Sequence, residues 1–266
     1  MKTILITGST AGIGKLAAAK LAQDGHHIIV HGRNSEKVSK TISEIKTDSI
    51  NNNVTGFVSE LSDFESIKAM VSELSAEIPK IDILINNAGV FKSDIQYNQQ
   101  GLDLRFAVNY FAPYLLTYGL LPLIHNSDSP RIINLSSAAQ STVETDALSG
   151  AKSISNQESY AQSKLALTMW SFAFAKHYPQ INTIAVNPGS LLNTRMANEA
   201  YGQHWSPASK GSDILYDLAI SEEYANSTGM YFDKGNPKGT FANAHGDVYD
   251  QTKIDELIAH TAQILN

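Results

Sequence analysis

The chain contains no cysteine, which excludes disulfide bonds, thiol catalysis and zinc–thiolate sites and is compatible with a reducing cytoplasm. Blocks of lysine or arginine are also missing. With 20 basic residues against 26 acidic ones and a formal net charge of -6, no nucleic-acid surface is expected. No secretory leader is expected, since only Ile4-Leu5-Ile6 separates Met1-Lys2-Thr3 from Thr7-Gly8. The longest apolar stretch, Phe106 to Ile124, is interrupted by Asn109, Pro113, Gly119 and Pro122. A membrane span needs about 20 mostly uninterrupted apolar residues. A buried or interface helix is therefore expected there, in a cytoplasmic protein with no membrane partner. Metal-ligand spacing is lacking as well. His204 and His245 fall in no His-Glu-x-x-His or comparable pattern, and no metal is expected.

What is present is a chain of 266 residues, long enough for one large α/β domain with a sizeable core. Strand-like runs occur at Thr3–Thr7, His27–His31, Val54–Ser59, Ile81–Ile85, Arg131–Leu135, Ile181–Val186 and Met230–Phe232. Several are nearly continuous in Ile, Leu and Val, as expected of strands covered on both faces. Helical patterns lie between them at Gly14–Asp24, Ser62–Glu77, Leu102–Ile124 and Ser159–His177. The alternation predicts a single domain over residues 1–266, a doubly wound parallel sheet with helices on both faces.

The first strand runs into Thr7-Gly8-Ser9-Thr10-Ala11-Gly12-Ile13-Gly14 and then a helix. Glycines at such a turn allow a pyrophosphate to approach the backbone, and the helix N-terminus offers free N–H groups. The second strand ends at His31-Gly32-Arg33-Asn34, with no acidic residue between His26 and Asn34. Arginine in that place accommodates a 2′-phosphate, where an acidic residue would bind ribose hydroxyls. Later strands end at Asn86-Asn87-Ala88-Gly89 and Asn134-Leu135-Ser136-Ser137, and Asn187-Pro188-Gly189 follows the sixth. All lie on the rim where such sheets bind ligands. Tyr160-Ala161-Gln162-Ser163-Lys164 puts a phenol and an ammonium on one helix face. A fixed cation favours phenolate and brings the group toward useful acid–base range. Tyr249 and Lys253 share that spacing, so the pattern needs its neighbours to carry meaning.

In order and spacing, these motifs resemble the short-chain dehydrogenase/reductase family over roughly the first 195 residues. Gly14-Lys15, Arg33, the long interval from Ser137 to Tyr160, and Ser163-Lys164-Leu165-Ala166 are similar to its retinol-dehydrogenase-like and related bacterial members. The resemblance implies the family's Rossmann fold, Tyr160 as acid–base, Lys164 on the nicotinamide ribose, Ser137 on the substrate oxygen and Asn109 holding a proton-relay water. It implies a cofactor site from Gly8, Ser9, Gly12, Ile13, Gly14, Arg33, Asn34, Glu60, Leu61, Asn87, Ala88, Gly89, Tyr160, Lys164, Pro188, Gly189, Leu192 and Thr194. Ser136 is expected to be structural. Two positions depart from the pattern: Glu60-Leu61 replaces the usual Asp-Leu at adenine, and Thr194 lies one residue late.

The function so implied is an NADP-dependent oxidoreductase (NAD being the weaker candidate) acting on a small carbonyl or alcohol substrate. The alternatives are a non-catalytic NADP-binding regulator on the same fold and a sugar epimerase or dehydratase of the extended relatives. Substrate-pocket segments are expected at about 138–158 and 190–212, with Asn198–Ser212, carrying Tyr201, His204, Trp205 and Pro207, as an aromatic lid. Lys253–Leu265 reads as an amphipathic helix. Apolar residues on more than one stripe of the Phe106–Ile124 and Tyr160–His177 helices predict a homodimer or homotetramer.

Overall fold

The computed structural model describes residues 1–189, 192–194, 196–198, 206–234 and 240–266. Among the described residues there are eight strands: β1 (Thr3–Ile6), β2 (His27–Gly32), β3 (Val54–Val58), β4 (Ile83–Asn86), β5 (Arg131–Leu135), β6 (Asn182–Asn187), β7 (Met230–Asp233) and β8 (Thr240–Ala242). They form one sheet in the order β3-β2-β1-β4-β5-β6-β7-β8. All neighbouring pairs are parallel except β7–β8, an antiparallel hairpin that the sequence did not signal.

The helices are α1 (Gly12–Gln23), α2 (Ser35–Ser49), α3 (Phe64–Glu77), α4 (Leu104–His125), α5 (Thr145–Leu148), α6 (Asn156–His177), α7 (Ser209–Ile220) and α8 (Gln251–Leu265). Strand side chains alternate between faces, so each Ile/Leu/Val run feeds two cores. Leu5, Ile29, Leu84 and Ile132 pack toward α3, α4, α6 and α8. Ile4, Ile6, Ile28, Val30, Ile83, Ile85 and Ile133 pack toward α1, α2 and α7. This double covering explains why the runs are continuous rather than alternating.

Helix α4 is interrupted at Ala107–Phe111 by a π-helical turn, whose extra residue widens the coil around Asn109. It is the one described helix long and apolar enough to cross a membrane, and 67% of its apolar window is buried inside the fold. Of the apolar stripes expected to leave an exposed patch, Tyr114, Leu115 and Phe172 are only partly buried. Tyr110, Phe111, Met169, Trp170 and Phe174 are all buried within the single chain. Helix α8 packs on α6, and the Thr261 hydroxyl lies 2.6 Å from the Tyr110 hydroxyl.

The strand order reverses between the parallel neighbours β1 and β4, opening a crevice at their carboxyl ends, the usual ligand position in open α/β sheets.

Candidate active site

The glycine turn is braced from the side by Asn87. Its Nδ2 donates to the carbonyls of Thr7 (2.7 Å) and Gly8 (3.2 Å), while its own N–H and that of Ala88 donate to Thr7 Oγ1, both at 3.0 Å. Gly8 has φ +65°, a conformation costly for other residues. A Cβ on Gly14 would sit 2.4 Å from Asn87 Nδ2, so the absent side chain is what admits the amide. Ala11, at the N-cap of α1, gives no side-chain cap, and no acidic residue lies in the first turn. This leaves an open, electropositive helix end beside Gly12 and Ile13. Ser9 is buried, its hydroxyl donating to Ile6 O at 2.8 Å.

Across the crevice, α6 starts from Ser155, whose hydroxyl accepts from Glu158 N–H, a Ser-x-x-Glu opening. Two turns in, Lys164 is 3% exposed, with Nζ 5.7 Å from the Tyr160 ring centroid and donating to Leu135 O at 2.6 Å. Burial pushes the Lys164 ammonium down to about 7. The Tyr249/Lys253 pair behaves otherwise: Tyr249 is exposed on a 3₁₀ turn before α8, and Lys253 binds Asp247 at 2.6 Å.

The widened turn of α4 delivers Asn109, fully buried. Its Oδ1 accepts from Val90 N–H at 2.8 Å, and its Nδ2 donates to Val90 O and Ser163 Oγ, each at 3.0 Å. Gly89 threads between these groups; a Cβ there would be 3.2 Å from Asn109 Oδ1 and 3.5 Å from Lys164 Nζ. Ser137 is half-buried at the end of β5, its hydroxyl accepting from Ala139 N–H at 3.1 Å. Its carbonyl is held by Tyr231 OH (3.0 Å) and Gln140 Nε2 (2.9 Å). Ser136 is buried 2.7 Å from Thr168 Oγ1, an internal contact.

At the outer end, Arg33 and Glu60 lie 3.7 Å apart on exposed side chains. Glu60 is pinned by Ser62, whose N–H and hydroxyl donate to Oε1 at 3.0 and 2.9 Å. Asn34 spends its side-chain oxygen capping α2 through Lys37 N–H. Leu61 is buried in the core beside α3, so only its backbone faces the crevice rim. On the far rim, Gly189 N–H is oriented by Asn187 Oδ1 at 3.3 Å beside Pro188. Leu192 is buried, and Thr194 Oγ1 accepts from Ala197 N–H. A Cβ on Gly12 would lie 3.8 Å from the Thr194 methyl group, so both sides of the crevice meet there.

Of the expected lid, Tyr201, His204 and Trp205 lie outside the described residues. Of its second half, Ser206 bridges to Leu192, and Ser209–Ser212 form the start of α7. Pro207 sets the entry, its carbonyl accepting from Lys210 N–H, and Gly211 and Ser212 are buried. His245 Nδ1 accepts from Asp247 N–H, and no cluster of three potential metal ligands occurs among the described residues.

Three features escaped the sequence reading. Asn86 and Asn134, paired across β4 and β5, form a buried amide ladder that continues to Ser171. Arg105, buried against Asp103, donates through Nε to Phe91 O at 3.2 Å, and the Phe91 ring meets Tyr160 edge-on with centroids 5.0 Å apart. His31 is buried behind the glycine turn. The amide ladder has a sequence signal in its matched strand-end asparagines, whereas His31 has none.

A family model described as short chain dehydrogenase matches residues 2–204. Retinol dehydrogenase 13 of Homo sapiens is 31% identical over 288 aligned positions, covering 99% of this chain and 84% of its own. Retinol dehydrogenase 12 of Mus musculus is 32% identical, covering 87% and 77%. Among solved structures, an Escherichia coli CFT073 protein assigned as a short chain dehydrogenase and solved with NADPH superposes with a TM-score of 0.73 at 26% identity. It covers 89% of this chain and 97% of its own.

Proposed function

The chain belongs to the short chain dehydrogenase family of oxidoreductases, and on that premise we propose an NADP(H)-dependent enzyme acting on an alcohol or its carbonyl, with Tyr160 as acid–base. The observation that carries the proposal is the buried ammonium of Lys164 beside the Tyr160 ring. A cation so desolvated acts strongly on a neighbouring phenol, because little water screens it. Tyr160 would give its proton to a carbonyl oxygen, or take one from an alcohol, while Ser137 fixes that oxygen by a hydrogen bond. Asn109 would line the route by which the proton is replenished. A dinucleotide bound in the crevice would supply or accept the hydride. The uncapped start of α1, the glycine turn that Asn87 braces, and the exposed guanidinium of Arg33 fit such a ligand.

Arg33 favours the 2′-phosphate form, since a charge-assisted hydrogen bond is worth ~1.5–3 kcal/mol. Glu60 works against it from 3.7 Å, so a preference of about tenfold rather than a hundredfold is expected. The relatives' names point to apolar alcohols, retinol for both dehydrogenases above, and Phe91 gives this site an aromatic wall beside Tyr160. We read the substrate as an apolar alcohol or aldehyde, in a cytoplasmic protein. The homodimer or homotetramer expected from apolar helices loses part of its argument, since α8 packs on α6 and leaves only Tyr114, Leu115 and Phe172 of those stripes partly exposed, and we favour a monomer.

Tyr160→Phe should keep NADPH affinity and lose at least ~10²–10⁴-fold in turnover, the usual range for general acid–base catalysis. Arg33→Ala should lower kcat/KM for NADPH and leave that for NADH almost unchanged. A folded Tyr160→Phe protein with substantial activity would reject the mechanism.

A further inference from the structure

His31, next to last in β2, lies directly behind the glycine turn, 2% exposed, and both ring nitrogens are committed. Nε2 lies 3.2 Å from the Ser59 carbonyl, which can only accept, so Nε2 carries the proton. Nδ1 is then bare and accepts from Gly8 N–H at 3.1 Å. The backbone of His31 adds two more links: its N–H donates to Ser9 Oγ and its carbonyl accepts from Ser9 N–H, both at 3.0 Å. Gly8 and Ser9 thus turn their amides inward to His31. The amides that follow, at the uncapped start of α1, are left facing the crevice.

We propose that His31 is a positioning residue for dinucleotide binding: its neutral Nε2–H form seats the Gly8 peptide and so aims the start of α1 at the ligand's phosphates. This rests on the cofactor reading above. The ring touches neither substrate nor cofactor, so its loss weakens cofactor binding without slowing the chemical step. Pre-organisation is the physical reason, because an amide already aimed at a phosphate loses no freedom on binding.

Two substitutions separate the ring's ends. His31→Asn keeps an acceptor oxygen at the Nδ1 position and discards the Ser59 contact. His31→Gln keeps a donor near the Nε2 position and discards the Gly8 contact. NADPH titration followed by its fluorescence should give a dissociation constant for His31→Asn within about twofold of wild type, and one about tenfold weaker for His31→Gln, the effect of one buried hydrogen bond. The kcat at saturating NADPH should be unchanged in both, and their melting temperatures should fall together, since each loses one contact. Equal NADPH affinities in the two variants overturn the proposal. Imidazole ¹⁵N shifts of wild type provide a reading that needs no variant: the Nε2–H tautomer at pH 7 is required, and the other tautomer or a cationic ring overturns the proposal. Wild-type protein that binds neither NADPH nor NADH defeats the cofactor reading instead, while the ¹⁵N shifts still judge the His31–Gly8 contact.

Discussion

Lys164 keeps its ammonium out of water with the Leu135 carbonyl at 2.6 Å, and desolvation brings its pKa from an ordinary 10.5 to about 7. An anionic dinucleotide in the crevice would favour the charged form and raise that value again. At about pH 8 the free protein then holds Lys164 mostly neutral and the complex holds it charged, so NADPH binding takes up a proton. Near pH 6 both are charged and the uptake vanishes. Affinity should therefore fall as pH rises above about 7. Calorimetry in buffers of different ionisation enthalpy measures the uptake, and Lys164→Met should abolish the part due to this residue. Equal uptake by wild type and Lys164→Met at pH 8 would remove the linkage. His31 shifts the same way, down to about 4 by burial, with the Ser59 carbonyl and Glu60 opposing. Its neutral form is favoured in the folded protein, so its contribution to stability is full above pH 6.5 and is lost as pH falls toward 4.

At the level of the element, α8 owes its place to a narrow stripe: Ile254, Leu257 and Thr261 are buried, with Ile258 and Leu265 partly so. Leu257→Ala should cost ~2–5 kcal/mol, as for other buried leucines. Urea unfolding checks the loss, and kcat of the remaining folded protein should not change, since α8 lies away from Tyr160. This helix was legible from the spacing of Ile254, Leu257 and Ile258, and the inner strands from their Ile/Leu/Val runs. Helix α2 went unread because only Val38, Thr41 and Ile45 are buried among serines and lysines, although Val38, Ile42 and Ile45 keep helical spacing. Strand β8 has three residues, too few for a period. The expected Asn198–Ser212 lid, read from its aromatics and Pro207, overlaps α7 at Ser209–Ser212, where the proline stands just before the helix. A Cβ on Gly211 would meet Leu192 at 2.7 Å, so that glycine serves close packing. Tyr160 and Lys164 were visible as a spacing. What no spacing could supply is the depth of Lys164, which depends on β5 passing beneath it, or the tertiary partners of His31.

For the molecule as a whole, the partly covered α4–α6 face bears on how copies meet. Light scattering at micromolar concentration should give the monomer mass, 28.9 kDa. A dimer mass would require contact through some surface other than the one α8 occupies, and would overturn the monomer reading. A chain cut after Tyr249 would bare Tyr110 and the α6 stripe, and it should aggregate or form dimers. The Asn87 amide carries a different consequence. It fills the space left by the missing Gly14 side chain and holds the Thr7 and Gly8 carbonyls, although 73 residues of chain separate it from Gly14. Anyone exchanging modules among such proteins would have to move the two loops as a pair. A transplanted turn with alanine at position 14, set against a resident Asn87, would meet that amide at less than van der Waals distance and lose its shape on arrival.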